Sequence, residues 1–394
     1  MSSIVLKPGR ERAIRNRHPW IFSGAIAQSA PPHADEVDVY SDDGQWQARA
    51  LWSAHSQIRA RILTWHPEAR IDTLFFHQRI CQALELRMRL PAYTDANAMR
   101  IVHGESDGIP GLIVDRYGDY VVVQLLSMGV DRRRQMIVDV LVDVLRPTGI
   151  IDRSDDDMRA LEGLAPSAGV LWGSAPGAPI TVTHPTGLRE TVDLTGGQKT
   201  GGYLDQVLNR VSLAAYAEGA DVLDCFCYNG GFSVALARGG AASVVAVDSS
   251  APALAALQHD MALNAVQTTP HEIVEADVFK LLRVYRDQER RFDMIVLDPP
   301  KFAHSQAQVE RATHGYKDIN LLALKLLRPG GILATYSCSG LVSADLFQKV
   351  IFGAALDAQR DVQIIERHTQ SPDHPVLLSF PEGEYLKGLV CRVW

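Results

Sequence analysis

From about residue 195 to the C-terminus, short apolar runs alternate with segments in which apolar residues recur at helical spacing. The runs VLDCF, SVVAVD, FDMIVLD and GGILATYSC are four of the predicted strands. Helices are predicted at residues 231–239, 251–264, 278–286, 315–328 and 343–356. Repeated strand–helix units predict a mostly parallel sheet with helices on both faces. Because ligands bind at the carboxyl ends of the strands in such α/β sheets, we expect the functional site at that edge.

Acidic residues end four successive strands of this predicted sheet: Asp224, Asp248, Asp277 and Asp298. Asp248 ends the second strand and suits a ribose diol, because a carboxylate accepts two hydroxyl hydrogen bonds. Asp277 ends the third strand and suits an adenine amine. Each acid alone is also a common helix N-cap. The four together indicate a polar nucleoside without phosphate, since carboxylates repel phosphate, and S-adenosylmethionine is a cofactor of that kind.

The turn CFCYNGG, between the first of these strands and its helix, contains glycine and lets the backbone approach a ligand closely. It lacks the G-x-G-x-x-G pattern that places a pyrophosphate at a helix N-terminus. Phe226, Asn229 and Gly230 of this turn are predicted to bind the cofactor.

The chain ahead of residue 195 has two further parts. Residues 1–68 contain short runs of alternating apolar and polar residues, such as QWQARALW, which predict a small β domain. Residues 69–194 combine helical stretches with a predicted hairpin in GLIVDRYGDYVVVQLL, which indicates an α+β module of β-β-α-β-β type. The sequence therefore predicts three domains, at 1–68, 69–194 and 195–394.

Basic residues crowd beside aromatic ones near the N-terminus. The segment KPGRERAIRNRHPWIF contains Lys7, Arg10, Arg12, Arg15 and Arg17, followed by a tryptophan and a phenylalanine. Basic groups suit phosphate contact and aromatic rings suit base stacking, so we predict RNA binding here. A solvated charged surface is the alternative. The net charge of −7 argues against a general nucleic-acid coat protein but permits a localised basic face.

Other classes of protein are disfavoured. No run of about 18 uncharged apolar residues predicts a membrane span, and the N-terminus lacks the order of charge and apolar residues that a secretory signal has. Five cysteines without regular spacing do not form a disulfide framework, and a single C-x-C without a second ligand pair predicts no zinc site. We expect a reduced, cytoplasmic protein without a metal.

Several motifs resemble those of the bacterial 23S rRNA cytosine-C5 methyltransferases that carry an N-terminal PUA domain. They are GGQKTGGYLDQVLNR (196–210), VLDCFCYNGGFS (222–233), DPPKF (298–302), GYKDIN (315–320), YSCSG (336–340) and the C-terminal DHPVLLSFPEGEYLKGLVCRVW (373–394). The similarity extends over essentially the whole chain. It implies a class I methyltransferase domain at 195–394, a PUA domain at 1–68 and an α+β domain between them. It also implies S-adenosylmethionine as the cofactor and 23S rRNA, naked or in an early assembly intermediate, as the partner; a homodimer is left open.

The resemblance also assigns residues to the cofactor site. It implies that Gln198 and Tyr203 bind S-adenosylmethionine, together with the turn and the strand-end acids. The family often has an arginine after LDQ, where this chain has Val207. Arg210 is the nearest substitute for that contact.

Cys338 is the predicted nucleophile. Carbon 5 of cytosine becomes nucleophilic when a thiolate adds to carbon 6, so a cysteine is needed at the substrate edge of the sheet. Asp298 is expected to contact both the cofactor and the cytosine edge, and Phe302 to stack on the extruded base. Lys301 is a candidate RNA contact and a candidate for the cation that lowers the thiol pKa. The alternatives are a buried inert thiol for Cys338 and a packing role for Phe302.

Four other functions remain open at this point. Uracil-C5 methylation uses the same covalent logic. Amino-group methylation is disfavoured because its fourth-strand motif more often ends in an aromatic residue, where this chain has Lys301. A non-catalytic rRNA-binding assembly factor is disfavoured by the intact acids and Cys338. A small-molecule substrate is disfavoured by the two additional N-terminal modules.

Overall fold

A computed structural model describes residues 2–196 and 200–394. The chain forms two compact units. The first comprises Met1–His184, Val192–Leu204 and Pro372–Gly383, and the second comprises Pro185–Thr191, Asp205–Ser371 and Glu384–Trp394. The finer division at 1–68, 69–194 and 195–394 stays a prediction.

The first unit begins with a six-stranded sheet. Its strands are β1 (Ser2–Leu6), β2 (Trp20–Phe22), β3 (Ile26–Gln28), β4 (Glu36–Tyr40), β5 (Trp46–Trp52) and β6 (Ile58–Thr64), with helix α1 (Glu11–Arg15) after β1. The strand order is β2-β6-β5-β4-β1-β3. In β4 the side chains alternate between buried and half-buried, as the period of two in EVDVY predicts. Ile4, Val37 and Val39 lie in the core of this sheet.

A second sheet and its helices follow in the chain. The elements are α2 (Thr73–Met88), β7 (Ala98–His103), β8 (Leu112–Tyr117), β9 (Tyr120–Leu125), α3 (Met128–Asp131), α4 (Arg134–Leu145), β10 (Gly149–Arg153), α5 (Asp156–Leu161), β11 (Ala168–Gly173), β12 (Ile180–Thr183) and β13 (Arg189–Val192). The sheet has the order β11-β10-β9-β8-β7. The predicted hairpin is β8–β9, and Asp72 caps α2 by accepting a hydrogen bond from the Phe75 amide at 3.1 Å.

The second unit is an α/β sandwich around a seven-stranded sheet. Its elements are α6 (Val207–Ala214), β14 (Asp221–Cys225), α7 (Gly231–Arg238), β15 (Ser243–Asp248), α8 (Ala251–Leu263), β16 (His271–Glu275), α9 (Val278–Asp287), β17 (Phe292–Leu297), α10 (Val309–Leu326), β18 (Leu327–Ser337), α11 (Ala344–Ala358), β19 (Val362–His368) and β20 (Lys387–Val393). The order is β16-β15-β14-β17-β18-β20-β19. β14 to β18 are parallel, and β20 is antiparallel to both of its neighbours.

This topology determines where ligands can bind. The chain builds outward from β14 through β15 to β16, then returns to place β17 on the other side of β14. The crevice at such a reversal opens at the carboxyl ends of β14 and β17. The predicted fold class is confirmed: an N-terminal β-rich domain precedes a mostly parallel, Rossmann-like sheet.

One element differs from its prediction. The helix expected at 315–328 begins earlier, at Val309, and ends at Leu326, and β18 takes over at Leu327. The first turns of α10 have the sequence VERATH, in which polar residues dominate, so apolar periodicity does not reveal them.

Candidate active site

The turn after β14 has an unusual backbone. Phe226 and Tyr228 have φ values of +61° and +51°, and Gly230 has +77°. Left-handed conformations at non-glycine residues cost on the order of 1–3 kcal/mol each and cluster at functional sites. Asp248, at the end of β15, holds the turn through a hydrogen bond that its Oδ2 accepts from the Tyr228 amide at 2.8 Å. Since Asp248 remains partly exposed, the turn and this carboxylate form one accessible surface at the carboxyl edge.

Gly230 cannot carry a side chain in this turn. A Cβ atom there would lie 2.1 Å from the side chain of Leu257, and the positive φ adds strain. Gly230 also precedes α7, whose N-terminus has no side-chain cap. The structure therefore requires glycine here because of the Leu257 side chain and the positive φ, and close approach of a ligand to this backbone stays a prediction.

Asp224 supports the site from inside. Its side chain is 0% exposed, and its Oδ2 accepts a hydrogen bond from the Ser233 hydroxyl at 2.7 Å. Burial, assisted by the charge of Asp298, raises the pKa of Asp224 to about 7. Asp224 precedes the last residue of β14, and its partner Ser233 belongs to α7. Direct contact between Asp224 and a cofactor stays a prediction.

Arg210 and Asn229 are also engaged inside the protein. The Nη1 of Arg210 pairs with a carboxylate oxygen of Glu190 at 3.2 Å, and the side-chain amide of Asn229 donates to the other oxygen at 2.7 Å. Both residues are buried. Arg210 is thus a buried partner of Glu190. Its predicted role as the substitute for the arginine missing at Val207 stays a prediction.

Asp277 acts as the N-cap of α9. Its Oδ1 accepts a hydrogen bond from the Lys280 amide at 3.0 Å, and the residue is exposed. The capping alternative considered for the strand-end acids is therefore correct for Asp277. Contact with an adenine amine stays a prediction, because an ionised carboxylate has further lone pairs.

Asp298 is oriented by a buried amide. The Nε2 of Gln206 donates to Asp298 Oδ1 at 3.0 Å, and the Gln206 Oε1 accepts from the Asn209 amide at 2.6 Å. Asp298 itself is partly exposed, one residue beyond β17. Sequence reasoning missed the roles of Gln206 and Asn209, although both lie in the motif LDQVLN.

Cys338 follows β18 directly and is partly buried. Its Sγ lies 3.9 Å from the carbonyl oxygen of Pro299, in the loop that begins with Asp298. The carboxyl ends of β17 and β18 are adjacent, so the predicted nucleophile and the predicted acid share one edge of the sheet. The structure thus places these two side chains in the same region.

The two serines beside Cys338 attach the DPPKF loop to β18. The Oγ of Ser339 accepts hydrogen bonds from the amides of Phe302 at 3.2 Å and Ala303 at 3.4 Å. The Tyr316 hydroxyl lies within hydrogen-bonding distance of Ser337 Oγ at 2.9 Å and of Ser339 Oγ at 3.1 Å. The S-C-S pattern therefore fixes the thiol relative to the loop, a role that its sequence did not reveal.

Lys387 is a cation that sequence reasoning missed. It is the first residue of β20, it is buried, and its Nζ donates to the carbonyl oxygen of Ser339 at 2.7 Å. Burial lowers its pKa to about 8, while the charges of Cys338 and Glu384 act in the opposite direction. Lys301, the cation suggested from sequence, is exposed.

Phe302 packs against aromatic neighbours. Its ring centroid lies 4.7 Å from that of Tyr316 and 6.0 Å from that of Phe279, and the residue is half-buried. The packing alternative is therefore present in the structure. Stacking of Phe302 on a base stays a prediction.

Gln198 and Tyr203 are the two remaining predicted cofactor contacts. Gln198 is outside the described residues. Tyr203 lies in the Val192–Leu204 segment of the first unit. Both contacts stay predictions.

The predicted RNA-binding residues are on the surface of the first unit. Lys7, Arg10, Arg12, Arg15 and Arg17 are all exposed. The Arg17 guanidinium lies over the Trp65 ring, 5.2 Å from its centroid. Arg17 and Trp65 also line a cavity of about 400 Å³.

Comparison with known proteins identifies the family. The profile of the S-adenosylmethionine-dependent methyltransferase family matches residues 165–387, more than half of the chain. The chain belongs to this family. The profile of a PUA-like domain matches residues 4–65, in agreement with the predicted N-terminal domain. The predicted family and the predicted cofactor, S-adenosylmethionine, are thereby confirmed.

Full-length relatives agree with this assignment. Ribosomal RNA large subunit methyltransferase I of Shewanella denitrificans is 49% identical over 394 residues, 99% of each chain. The protein of the same name from Aeromonas hydrophila is 48% identical over 393 residues, again 99% of each chain. A solved methyltransferase structure in complex with SAH has a TM-score of 0.87 at 21% identity and covers 100% of both chains. An S-adenosylmethionine-dependent methyltransferase structure from Streptococcus mutans has a TM-score of 0.86 at 21% identity, with the same coverage. These two structures share the fold of this methyltransferase.

Three further properties of the described residues are their capacity to hold a metal ion, their capacity to cross a membrane and the state of their cysteines. Within 2–196 and 200–394, no group of three or more His, Cys, Asp or Glu side chains could hold a metal ion. No helix in these ranges is long and apolar enough to cross a membrane. All five cysteines are free thiols.

Proposed function

We propose that the protein transfers a methyl group from S-adenosylmethionine to carbon 5 of a cytosine in 23S rRNA, through a covalent bond between Cys338 Sγ and carbon 6. The observation that carries the proposal is the approach of Cys338 to the DPPKF loop. The thiol follows β18, lies 3.9 Å from the Pro299 carbonyl oxygen, and is tethered to the loop through Ser339. A cysteine at this edge has no role in amino-group methylation but is required for carbon-5 chemistry.

In the proposed reaction, Cys338 and Asp298 have different roles. The Cys338 thiolate adds to carbon 6, and the displaced π electrons make carbon 5 a nucleophile. When bound, S-adenosylmethionine supplies the electrophilic methyl group. Loss of the carbon-5 proton then restores the double bond and expels the thiolate, so that the enzyme is regenerated. Asp298 hydrogen-bonds the cytosine amine or protonated N3 and stabilises the charge that shifts out of the C5–C6 bond.

The site residues fit a nucleoside cofactor. The left-handed turn, with Phe226 and Tyr228 partly exposed, lies beside Asp248, and Asp277 presents a second carboxylate after the neighbouring strand. Carboxylates accept hydrogen bonds from hydroxyl and amine donors, which a ribose and an adenine supply. We assign Asp248 to the ribose and Asp277 to the adenine amine, with Phe226 and Gly230 lining the turn.

The relatives and the first unit support a ribosomal RNA substrate. The curated relatives are ribosomal RNA large subunit methyltransferases. The five exposed basic residues near the N-terminus belong to the segment that matches the PUA-like domain. Phosphate contacts of this kind add affinity without sequence preference. We infer that the substrate is naked 23S rRNA or an early assembly intermediate in the cytoplasm, since a base buried in a mature subunit is difficult to extrude.

The test compares wild-type protein with Cys338→Ala and with the matched control Cys81→Ala, whose thiol lies in the first unit. Each protein is incubated with labelled S-adenosylmethionine and 23S rRNA, and the nucleosides are identified by mass spectrometry. We expect 5-methylcytidine from the wild type and the control, and none from Cys338→Ala. RNA that contains 5-fluorocytidine should trap a covalent complex only when Cys338 is present.

Three outcomes would contradict the proposal. Methylation by Cys338→Ala would make the thiol structural and favour amino-group methylation. Formation of 5-methyluridine would assign the enzyme to uracil. Cofactor binding by calorimetry without methylation of naked RNA or of assembly intermediates would leave a non-catalytic rRNA-binding protein.

A further inference from the structure

Lys387 is a buried cation without an acidic partner. Its side chain donates to the Ser339 carbonyl oxygen, and the residue is only 7% exposed. No carboxylate among the residues that the structure describes lies within 4.0 Å of its Nζ. A buried ammonium group is unfavourable unless a negative charge compensates it. A negative group other than a carboxylate in direct contact could therefore compensate the charge of Lys387.

The strand pairing brings Lys387 to Cys338. β18 and β20 are antiparallel, and Lys387 stands opposite Ser337 in their register. The Lys387 side chain donates to the carbonyl oxygen of Ser339, the residue that follows Cys338, at 2.7 Å. It thus interacts with the residues on both sides of the thiol. Of the two negative groups that raise the Lys387 pKa, Cys338 acts more strongly than Glu384.

Electrostatic coupling between two groups is mutual. If the Cys338 thiolate favours the charged form of Lys387, then the charged form of Lys387 favours the thiolate by the same free energy. A nearby lysine is one of the recognised causes of a lowered cysteine pKa. The pair therefore has the arrangement of an activated nucleophile beside its cation.

We propose that Lys387 is a positioning residue whose ammonium group holds Cys338 as a thiolate before RNA arrives. The inference rests on the proposed role of Cys338 as the nucleophile. Lys387 takes the place that sequence reasoning gave to Lys301. In the cycle, Lys387 keeps its proton: the thiol proton leaves to solvent, the thiolate adds to carbon 6, and elimination returns the thiolate to the same cation.

Other charged and polar groups also act on this pair. Asp298 and Glu384 carry negative charge, which disfavours a thiolate. Tyr316, on α10, has a hydroxyl that contacts both serines beside Cys338, and its pKa is raised mainly by burial, so it stays neutral. Lys387 is therefore a positive group that can oppose the effect of the two carboxylates on the thiol.

The test measures the pH dependence of Cys338 alkylation by iodoacetamide in the full chain, followed by mass spectrometry of the Cys338 peptide. All proteins carry Cys81→Ala, because Cys81 is partly exposed and would also be alkylated. Cys225, Cys227 and Cys391 are buried and stay in place. We expect Lys387→Met to raise the midpoint by about one pH unit and to slow alkylation at pH 7 about tenfold. Lys387→Arg should stay near the wild-type midpoint. Lys301→Met is the matched control and should not shift it.

Methylation gives a second readout. The RNA-methylation rate of Lys387→Met should be low at pH 7 and recover towards that of the wild type near pH 9, where the thiol ionises without help. A structural role for Lys387 would not produce this recovery. Lys387→Gln carries the same expectations if Lys387→Met fails to fold.

The inference and the proposed function can fail separately. An unchanged alkylation midpoint in folded Lys387→Met would overturn the inference, even if 5-methylcytidine forms normally. A midpoint shift in Lys301→Met alone would also overturn it and restore Lys301 as the cation. A shift in Lys387→Met together with no methylation of any RNA would support the inference and refute the proposed function, since alkylation requires neither RNA nor cofactor.

Discussion

Ser339 is the residue whose replacement tests the architecture of the site most directly. Its hydroxyl accepts hydrogen bonds from the amides of Phe302 and Ala303, and the serine is fully buried. Ser339→Ala leaves the amide of Phe302, at the end of the DPPKF loop, and that of Ala303, directly after it, without that acceptor. An unsatisfied buried donor costs about 1–3 kcal/mol, and these bonds are long, so about 1 kcal/mol each is appropriate. We expect the loop to open about 2 kcal/mol more easily, close to 30-fold in an equilibrium constant.

Hydrogen exchange measured by mass spectrometry is the assay. The peptide that covers the loop should exchange about 30-fold faster in Ser339→Ala, and the methylation rate should fall with it because the loop carries Asp298. Ser343→Ala is the matched control. Ser343 caps α11 by accepting a hydrogen bond from the Leu346 amide at 3.1 Å, so its loss should affect that helix and leave the loop unchanged. Loop exchange within about twofold of the wild type in Ser339→Ala would refute the reasoning.

Three further substitutions test other parts of the site. Burial raises the pKa of Asp224 to about 7, so the unfolded chain ionises this group at lower pH than the folded one. The stability of the fold therefore falls as pH rises from about 4 to 7. Asp224→Asn should flatten that part of the profile of melting temperature against pH. Gly230→Ala places a Cβ atom 2.1 Å from Leu257, and calorimetry should show S-adenosylmethionine affinity reduced about tenfold or more. Arg210→Met leaves Glu190 buried without its cation and should lower the unfolding free energy by about 3–5 kcal/mol in urea titrations, a loss that the double variant with Glu190→Gln should largely recover.

The parts of the fold that sequence predicted are those with local signals. The strands and helices of the second unit follow from apolar periodicity, and the capping of α2 by Asp72 follows from residue type. The start of α10 was missed because its first turns are mostly polar. The sequence predicted a mostly parallel sheet but not the order of its strands. β20 pairs between β18 and β19, and this non-local pairing leaves no pattern in the sequence of these strands.

The site shows the same limit more sharply. Cys338 and Asp298 could be predicted as site residues because each follows a recognisable strand or belongs to a recognisable motif. The groups that support them come from distant positions: Gln206 is 92 residues from Asp298, and Lys387 is 48 residues from Ser339. Nothing in the local sequence of either residue indicates its partner. Their roles depend on side chains that meet only after the sheet has formed.

The four strand-end acids show that a capping role and a functional role are compatible. Each carboxylate oxygen has two lone pairs, so one hydrogen bond within the protein leaves acceptor capacity for a ligand. Asp277 uses Oδ1 to cap α9 and stays exposed. Asp248 accepts from the Tyr228 amide and also remains accessible.

Burial, and not capping, distinguishes Asp224 from the other three strand-end acids. Asp224 has a free oxygen, because no hydrogen bond to its Oδ1 occurs within the described residues, yet it is completely enclosed. Its raised pKa favours the protonated form near neutral pH, in which it can donate as well as accept. In its protonated form Asp224 adds no negative charge beside Asp298. We therefore predict two purposes for the same residue type at the four strand ends: the exposed members would supply acceptors for the nucleoside, and the enclosed one would limit the negative potential in which the proposed nucleophile must ionise.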